Sequence, residues 1–266
     1  MLRESLAVGS VFEHLKRGLD AAAMLAEPLT AYLLLNTEPE FDCHDAHAAL
    51  SAMRGTEFVI CLSAYKGAAL DYASVLLPIA PFTETSGTFV NAEGRMQSFN
   101  GVVRPLGEAR PAWKVLRVLG NLLDLDGFDY DSSEQVRDEI GEPGELARKL
   151  DNRLAGIALQ TPAASGGLQR IADVPIYAGD AIVRRAASLQ QTRDAEAPRA
   201  WMNAALLARL GLKDGQAVKV KQGAGEATLN AACDERVPRD CVRVAAAHAA
   251  TRDLGPMSGE VTLEPQ

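Results

Sequence analysis

Glu84, Glu93 and Arg95 put two carboxylates and a guanidinium into one stretch punctuated by Gly87, Gly94, Gly101 and Gly107. Such a set can line a charged pocket, or it can form an internal ion pair that fixes a loop, and the spacing alone leaves both open. Asn36 closes a short apolar run, and ligands of open α/β sheets bind beyond the ends of such strands. Cys43-His44-Asp45-Ala46-His47, preceded by Asp42, is the one dense group of potential metal ligands. Zinc could use Cys43, His44 or His47. Without a distant second ligand pair, the plainer reading is a helix start at which Asp42 or Asp45 accepts bonds from free amides. An iron-sulfur cluster needs thiolates presented together by close spacing, whereas Cys43, Cys61, Cys233 and Cys241 are widely separated. Ser86 lacks the glycine two positions earlier that a nucleophile elbow uses, so it reads as a turn serine. The pattern contains no catalytic residue and no metal site.

The elements that must position these groups follow from periodicity and punctuation. The apolar run at residues 75–77 ends at Pro78, which cannot donate to a sheet ladder, so a buried strand stops there and delivers a loop. Regular helix is not expected before Glu108; from there Trp113, Leu116, Leu119 and Leu123 share one side of a helix. Upstream, apolar runs at 31–36 and 57–63 flank a helical pattern at 45–54, the order of a parallel β-α-β unit. Residues 4–26 read as a helix on Leu6, Phe12, Leu15, Leu19 and Leu25. Ser132 with Gln135 has capping-box spacing and opens a helix through Val136 and Ile140; Leu146, Leu150 and Leu154 mark another. Residues 155–167 have a linker's composition. Residues 201–212 read as an amphipathic helix closed by Gly211, 217–221 and 227–231 as a hairpin around Gly223 to Gly225, and 241–245 as a further strand. Arg184-Arg185 lies in a segment, 171–192, that reads either as a solvated helix face or as one whose apolar positions dock on the larger domain while the arginines reach acidic groups on it or on another subunit.

Bulk composition removes other classes. With 47% hydrophobic and 23% charged residues, the 266-residue chain is that of an ordered globular protein. A formal charge of -8 and no clustered basic surface argue against nucleic acid. No window of about 18 uninterrupted apolar residues exists, so no membrane span is expected. The N-terminal residues lack the apolar core of a secretory signal, which makes cytoplasmic residence and reduced cysteines the default.

One resemblance covers most of the chain. "LLP", then Glu84, Gly87-Thr88, Asn91, Glu93-Gly94-Arg95 and Gln97, followed by Pro105, Gly107-Glu108 and Trp113, resembles the bis-pterin molybdoenzyme superfamily of formate dehydrogenases and nitrate reductases. Within it, IADVPIYAGDAIVRRAASLQQT at 171–192 is similar to the family of the large iron-sulfur subunit of bacterial NADH:quinone oxidoreductase, respiratory complex I. The resemblance implies an α/β fold: a partial, parallel molybdopterin-oxidoreductase-like domain at 1–160, a connecting strap at 161–194, and a six-stranded, double-psi-like β-barrel at 195–266. It also implies that Asn36, Glu84, Gly87, Asn91, Glu93 and Arg95 are vestigial pterin-pocket positions. No cofactor is then expected in this chain, its iron-sulfur clusters lying in an upstream part that Met1 truncates. Two departures fit a lost cofactor: Thr37 stands where relatives carry a proline after the asparagine, and Ala73-Ser74 where they carry alanine and aspartate. His248 would lie near a nucleotide-facing loop. The expected partners are other subunits of the complex I peripheral arm, on the cytoplasmic side of the inner membrane, with this portion bracing electron transfer from NADH to quinone. The alternatives are a fragment of a genuine molybdopterin-binding oxidoreductase such as a formate dehydrogenase, and a free-standing assembly module.

Overall fold

A computed structural model describes residues 19–27, 29–91, 93–139, 141 and 166–266. The chain divides into two compact units, Met1–Asn36 with Glu57–Gln160, and Thr37–Thr56 with Thr161–Gln266.

The first unit holds a three-stranded parallel sheet of β1 (Ala31–Leu35), β2 (Phe58–Ser63) and β3 (Val75–Pro78), in the order β1-β2-β3. Its runs of leucine, valine and isoleucine carry few polar side chains, as a sheet without hairpin connections requires. Pro78 ends the third strand as its missing N–H dictates, and the chain continues through the Ile79 N–H, which donates to Ser63 O at 3.1 Å. The glycine-rich stretch is more regular than expected: β4 (Gly87–Val90) and β5 (Met96–Phe99) form an antiparallel hairpin. Helix α1 (Ala21–Ala26) is shorter than the helix expected over 4–26, because Asp20 is extended and caps it by accepting from the Ala23 N–H; residues 1–18 lie outside the described residues.

Later in this unit, the helix expected from Glu108 begins at Ala112, after Pro111, whose backbone is not helical. Pro111 has no N–H to give up at a helix start, so the boundary falls there. Leu123 lies past the end of this helix and is 61% exposed, so it does not share the packed side of Trp113 and Leu116. The Ser132 cap forms as the spacing required: Ser132 Oγ accepts from the Gln135 N–H at 3.3 Å, and the Gln135 side chain accepts from the Asp131 N–H. The helix it opens is Ser133–Asp138. Ile140, the helix on Leu146, Leu150 and Leu154, and the linker up to residue 165 lie outside the described residues.

The second unit is a closed barrel of six strands. In chain order these are β6 (Leu168–Ile171), β7 (Arg199–Met202), β8 (Ala217–Gln222), β9 (Gly225–Cys233), β10 (Cys241–Arg243) and β11 (Ser258–Pro265). Its core is Met202, Leu206, Val218, Val220, Val242, Val244 and Leu254 with their neighbours. The β8–β9 hairpin is the one expected, its two-residue loop opening on Gly223 at φ +57, a conformation L side chains resist. Two expectations are corrected. The helix read over 201–212 runs only Ala204–Arg209, because Asn203 is its cap: Asn203 Oδ1 accepts from the Leu206 N–H at 2.8 Å, and Trp201 and Met202 belong to the strand before it. Leu168–Ile171, in the stretch read as a connecting strap, is a barrel strand paired to both β10 and β11. Arg170 on that strand is 2% exposed; it donates to Gln222 Oε1 and to the carbonyls of Gly255, Pro256 and Val244. Residues 37–56 join this unit through an Asp45–Pro256 bridge and a bond from the Met257 N–H to His44 O at 3.0 Å.

Candidate functional site

The six residues singled out in the sequence occupy two places in the first unit. Asn36 follows β1 with φ +49, a left-handed conformation that asparagine tolerates, and its N–H donates to Leu62 O at 2.8 Å. Its side chain is exposed. The other five belong to the hairpin and its approach. Asn91 Oδ1 accepts from the N–H groups of Glu93 and Arg95 at 3.0 and 2.8 Å, so its side chain builds the loop between β4 and β5. Glu93 and Arg95 form the ion pair that was one of the two readings, at 3.9 Å and with side chains 76% and 72% exposed, where solvent leaves such a pair little strength. Glu84 takes no part in it. Its Oε2 accepts from the Leu106 N–H at 3.0 Å and fastens the loop that follows the hairpin.

Gly87, by contrast, lines a cavity. A Cβ there would sit 2.8 Å from the Phe99 ring, which stacks on Phe89 with centroids 5.1 Å apart. The cavity, of about 400 Å³, is bounded by Leu35, Gly87, Phe89, Phe99, Trp113 and Ser133. Its walls are largely aromatic and aliphatic, and Ser86 and Ser133 hydrogen-bond to each other at 2.8 Å.

In the second unit the structure builds a charge cluster whose acidic half the sequence did not reveal. Arg184 donates from Nε to Glu38 at 3.0 Å, from Nη2 to Asp42 at 2.9 Å and from Nη1 to Ala178 O at 2.8 Å, and lies over the Phe41 ring. Arg185 pairs with both oxygens of Glu38 and donates to Ala181 O. Glu38 is 8% exposed. Burial pushes its carboxyl up, but the bonds and charges of Arg185 and Arg184 outweigh that and hold it below the usual carboxylate range. The reach of these arginines to acidic groups was the expectation; that Glu38 and Asp42 are the targets was not. The only signal was that one acid precedes and another ends the short Pro39–Asp42 helix.

Beside this cluster lies a cavity of about 310 Å³ bounded by Phe41, Tyr177, Arg184, Arg185, Gln190 and His248. The His248 Nδ1 accepts from the Ala250 N–H at 3.0 Å, and burial lowers its affinity for a second proton. Ala247 before it is held at φ +56. The Cys43 group behaves as a helix start: Asp45 caps Ala46–Gly55 by accepting from the Ala48 N–H, and His44 is exposed. Burial, with Asp42, Glu40 and Asp45 nearby, pushes the Cys43 thiol up to about 11. Among the described residues no group of three or more His, Cys, Asp or Glu side chains is placed to hold a metal ion. Also among them, no helix is long and apolar enough to cross a membrane.

Comparison with known proteins finds two family models in succession. Residues 9–122 match "Molybdopterin oxidoreductase", and residues 176–263 match "Molydopterin dinucleotide binding domain". Among curated proteins, the "Putative formate dehydrogenase" of Staphylococcus haemolyticus is 31% identical over 119 residues, 44% of this chain and 12% of the relative. That of Staphylococcus aureus (strain bovine RF122 / ET3-1) is 32% identical over 114 residues, 42% of this chain and 12% of the relative. Both matches thus span about an eighth of the relative's length. Acetylene hydratase from Pelobacter acetylenicus shares the fold, with a TM-score of 0.66 at 15% identity over 92% of this chain and 46% of that structure.

Proposed function

We propose, from a chain whose residues 9–122 match a molybdopterin oxidoreductase model and whose residues 176–263 match a molydopterin dinucleotide binding domain model, that it is one part of a larger oxidoreductase of the formate dehydrogenase type. The observation that carries this reading is the succession of the two domain types in one chain, together with relatives at 31% and 32% identity whose name specifies that enzyme. Its role is structural. A pterin dinucleotide demands donors and acceptors along its ring edge and cations or free amides at its phosphates. Here Asn91 and Glu84 are committed to backbone amides, and Arg184 and Arg185 to Glu38 and Asp42. In this reading these four side chains shape the surroundings of the cofactor, and contact with it falls to other residues of the enzyme. What these residues do is shape: a hairpin braced by Asn91, a loop tied by Glu84, and a barrel whose strap is locked by two arginines.

A second reading, the cofactor-free portion of the complex I iron-sulfur subunit working with other peripheral-arm subunits, is favoured by that same commitment of polar groups and by the 171–192 segment whose arginines form the lock. Metal analysis and pterin fluorescence of the native enzyme containing this chain separate the two. Stoichiometric molybdenum or tungsten with pterin, and formate-dependent reduction of an acceptor dye, is the result expected of the first. Iron alone, with oxidation of NADH coupled to quinone, would overturn it in favour of the second.

A further inference from the structure

Asn100 is the one asparagine of the chain that a glycine follows. It comes directly after strand β5, and both Asn100 and Gly101 are exposed. Among the described residues nothing hydrogen-bonds to the Asn100 side chain or to the Gly101 N–H. Asn91 and Asn203 differ: Asn91 Oδ1 accepts from two amides, and Asn203 is bonded through both Oδ1 and Nδ2. Packing requires glycine at 101, because a Cβ there would stand 2.9 Å from the Thr85 nitrogen and 3.0 Å from the Glu84 carbonyl carbon. The same bare Cα leaves no side chain to screen the Gly101 nitrogen from the amide before it.

We propose that Asn100 is a site of spontaneous modification, converted to aspartate and isoaspartate by the Gly101 nitrogen with water as the only co-reactant. That nitrogen gives its proton to solvent and attacks Asn100 Cγ. The new N–Cγ bond closes a succinimide ring as the Cγ–Nδ2 bond breaks, and ammonia leaves after taking up a proton from solvent. Water then opens the ring at either carbonyl. Opening at Cγ gives aspartate; opening at the main-chain carbonyl gives isoaspartate, in which the chain runs through Cβ and Cγ. Because ammonia is lost, the change is one-way and accumulates with the age of the molecule. Its effect falls on the loop that follows, where the Val102 and Val103 N–H groups donate to Thr83 O at 2.8 and 3.4 Å and Glu84 Oε2 holds the Leu106 N–H. Isoaspartate lengthens the main chain by one carbon directly before these bonds and adds a negative charge beside them. The bonds to Thr83 no longer match the chain, and the loop carrying Val102 and Leu106, 79% and 82% exposed, is loosened. This inference is independent of the function proposed above.

The full, folded chain, incubated in mildly alkaline buffer and mapped by peptide mass spectrometry with isoaspartate detection, tests this. Asn100 should be lost at least tenfold faster than any other asparagine, faster still as pH rises, with more isoaspartate than aspartate formed and ammonia released in step. Asn100→Gln, whose longer side chain closes the corresponding ring far more slowly, should stop the release without relying on Gly101→Ala, which packing disfavours. Hydrogen exchange at the Val102 and Val103 amides should accelerate in the aged chain and stay unchanged in aged Asn100→Gln. Loss at Asn100 no faster than elsewhere or seen only in denaturant, aspartate without isoaspartate, or loop amides that exchange alike before and after ageing would each overturn the proposal.

Discussion

Glu38 shows how one side chain can be costly alone and stabilising in company. A carboxylate 8% exposed is retained because two guanidinium groups meet both of its oxygens. Glu38→Gln keeps the shape and removes the charge, leaving Arg184 with only Asp42 as an anionic partner; a loss of about 3 kcal/mol is expected, read from the urea midpoint at neutral pH. The same group sets a pH dependence. Its folded pKa is depressed below 4.5, so the stability it contributes is present above that value and is lost as pH falls through the folded pKa. Acid titration of the urea midpoint should show this decline in the wild-type chain and a smaller one in Glu38→Gln. Asn91 makes the contrasting case of an exposed residue that matters through geometry. Asn91→Ala removes both bonds from its side chain to the Glu93 and Arg95 amides, and should cost about 1 kcal/mol, with hydrogen exchange at those two amides accelerated while the barrel amides are unchanged.

At the scale of elements, close packing replaces charge as the deciding term. The Ala112–Leu122 helix approaches the 125–130 loop at Gly120, where the Phe128 ring already occupies the space a Cβ would need. Gly120→Ala should therefore destabilise by about 1–3 kcal/mol by overpacking, in spite of alanine's better helix propensity, and calorimetry should show the loss. In the barrel, Arg170 ties β6 to the backbone carbonyls of Gly255 and Pro256 and to Gln222 on β8. Burial lowers its pKa only to about 10, so it stays charged at neutral pH and its bonds remain charge-assisted.

At the scale of the whole chain, the second unit is not continuous in sequence: residues 37–56 belong with the barrel through Asp45, His44 and the Glu38 lock. A polypeptide of residues 161–266 alone leaves Arg184 and Arg185 without their acidic partners. It should melt at a lower temperature than the barrel of the full chain, and a peptide of residues 37–56 added in trans should raise that transition, both measurable by circular dichroism.

Local patterns determined much of this protein. Alternation along 217–221 specified a strand, Gly223 its turn, the Ser132–Gln135 spacing a helix start, and Pro78 a strand end, since each depends on neighbours within a few residues. Those same rules mistook Trp201 and Met202 for helix, because the cap at Asn203 competes with an apolar period that continues across it. The motif around Glu84, Gly87 and Asn91 was visible as a string of residues, but the string cannot say whether a polar side chain faces a cavity or its own backbone. Only the folded chain decided that Asn91 turns back on the hairpin and Glu84 on Leu106, that Arg184 finds Glu38 at a separation of 146 positions, and that the Trp113 indole N–H and the Arg117 Nε–H are buried without an acceptor. Partners so far apart in sequence are chosen by which surfaces fold together, and a reading confined to neighbouring residues holds no information about that choice.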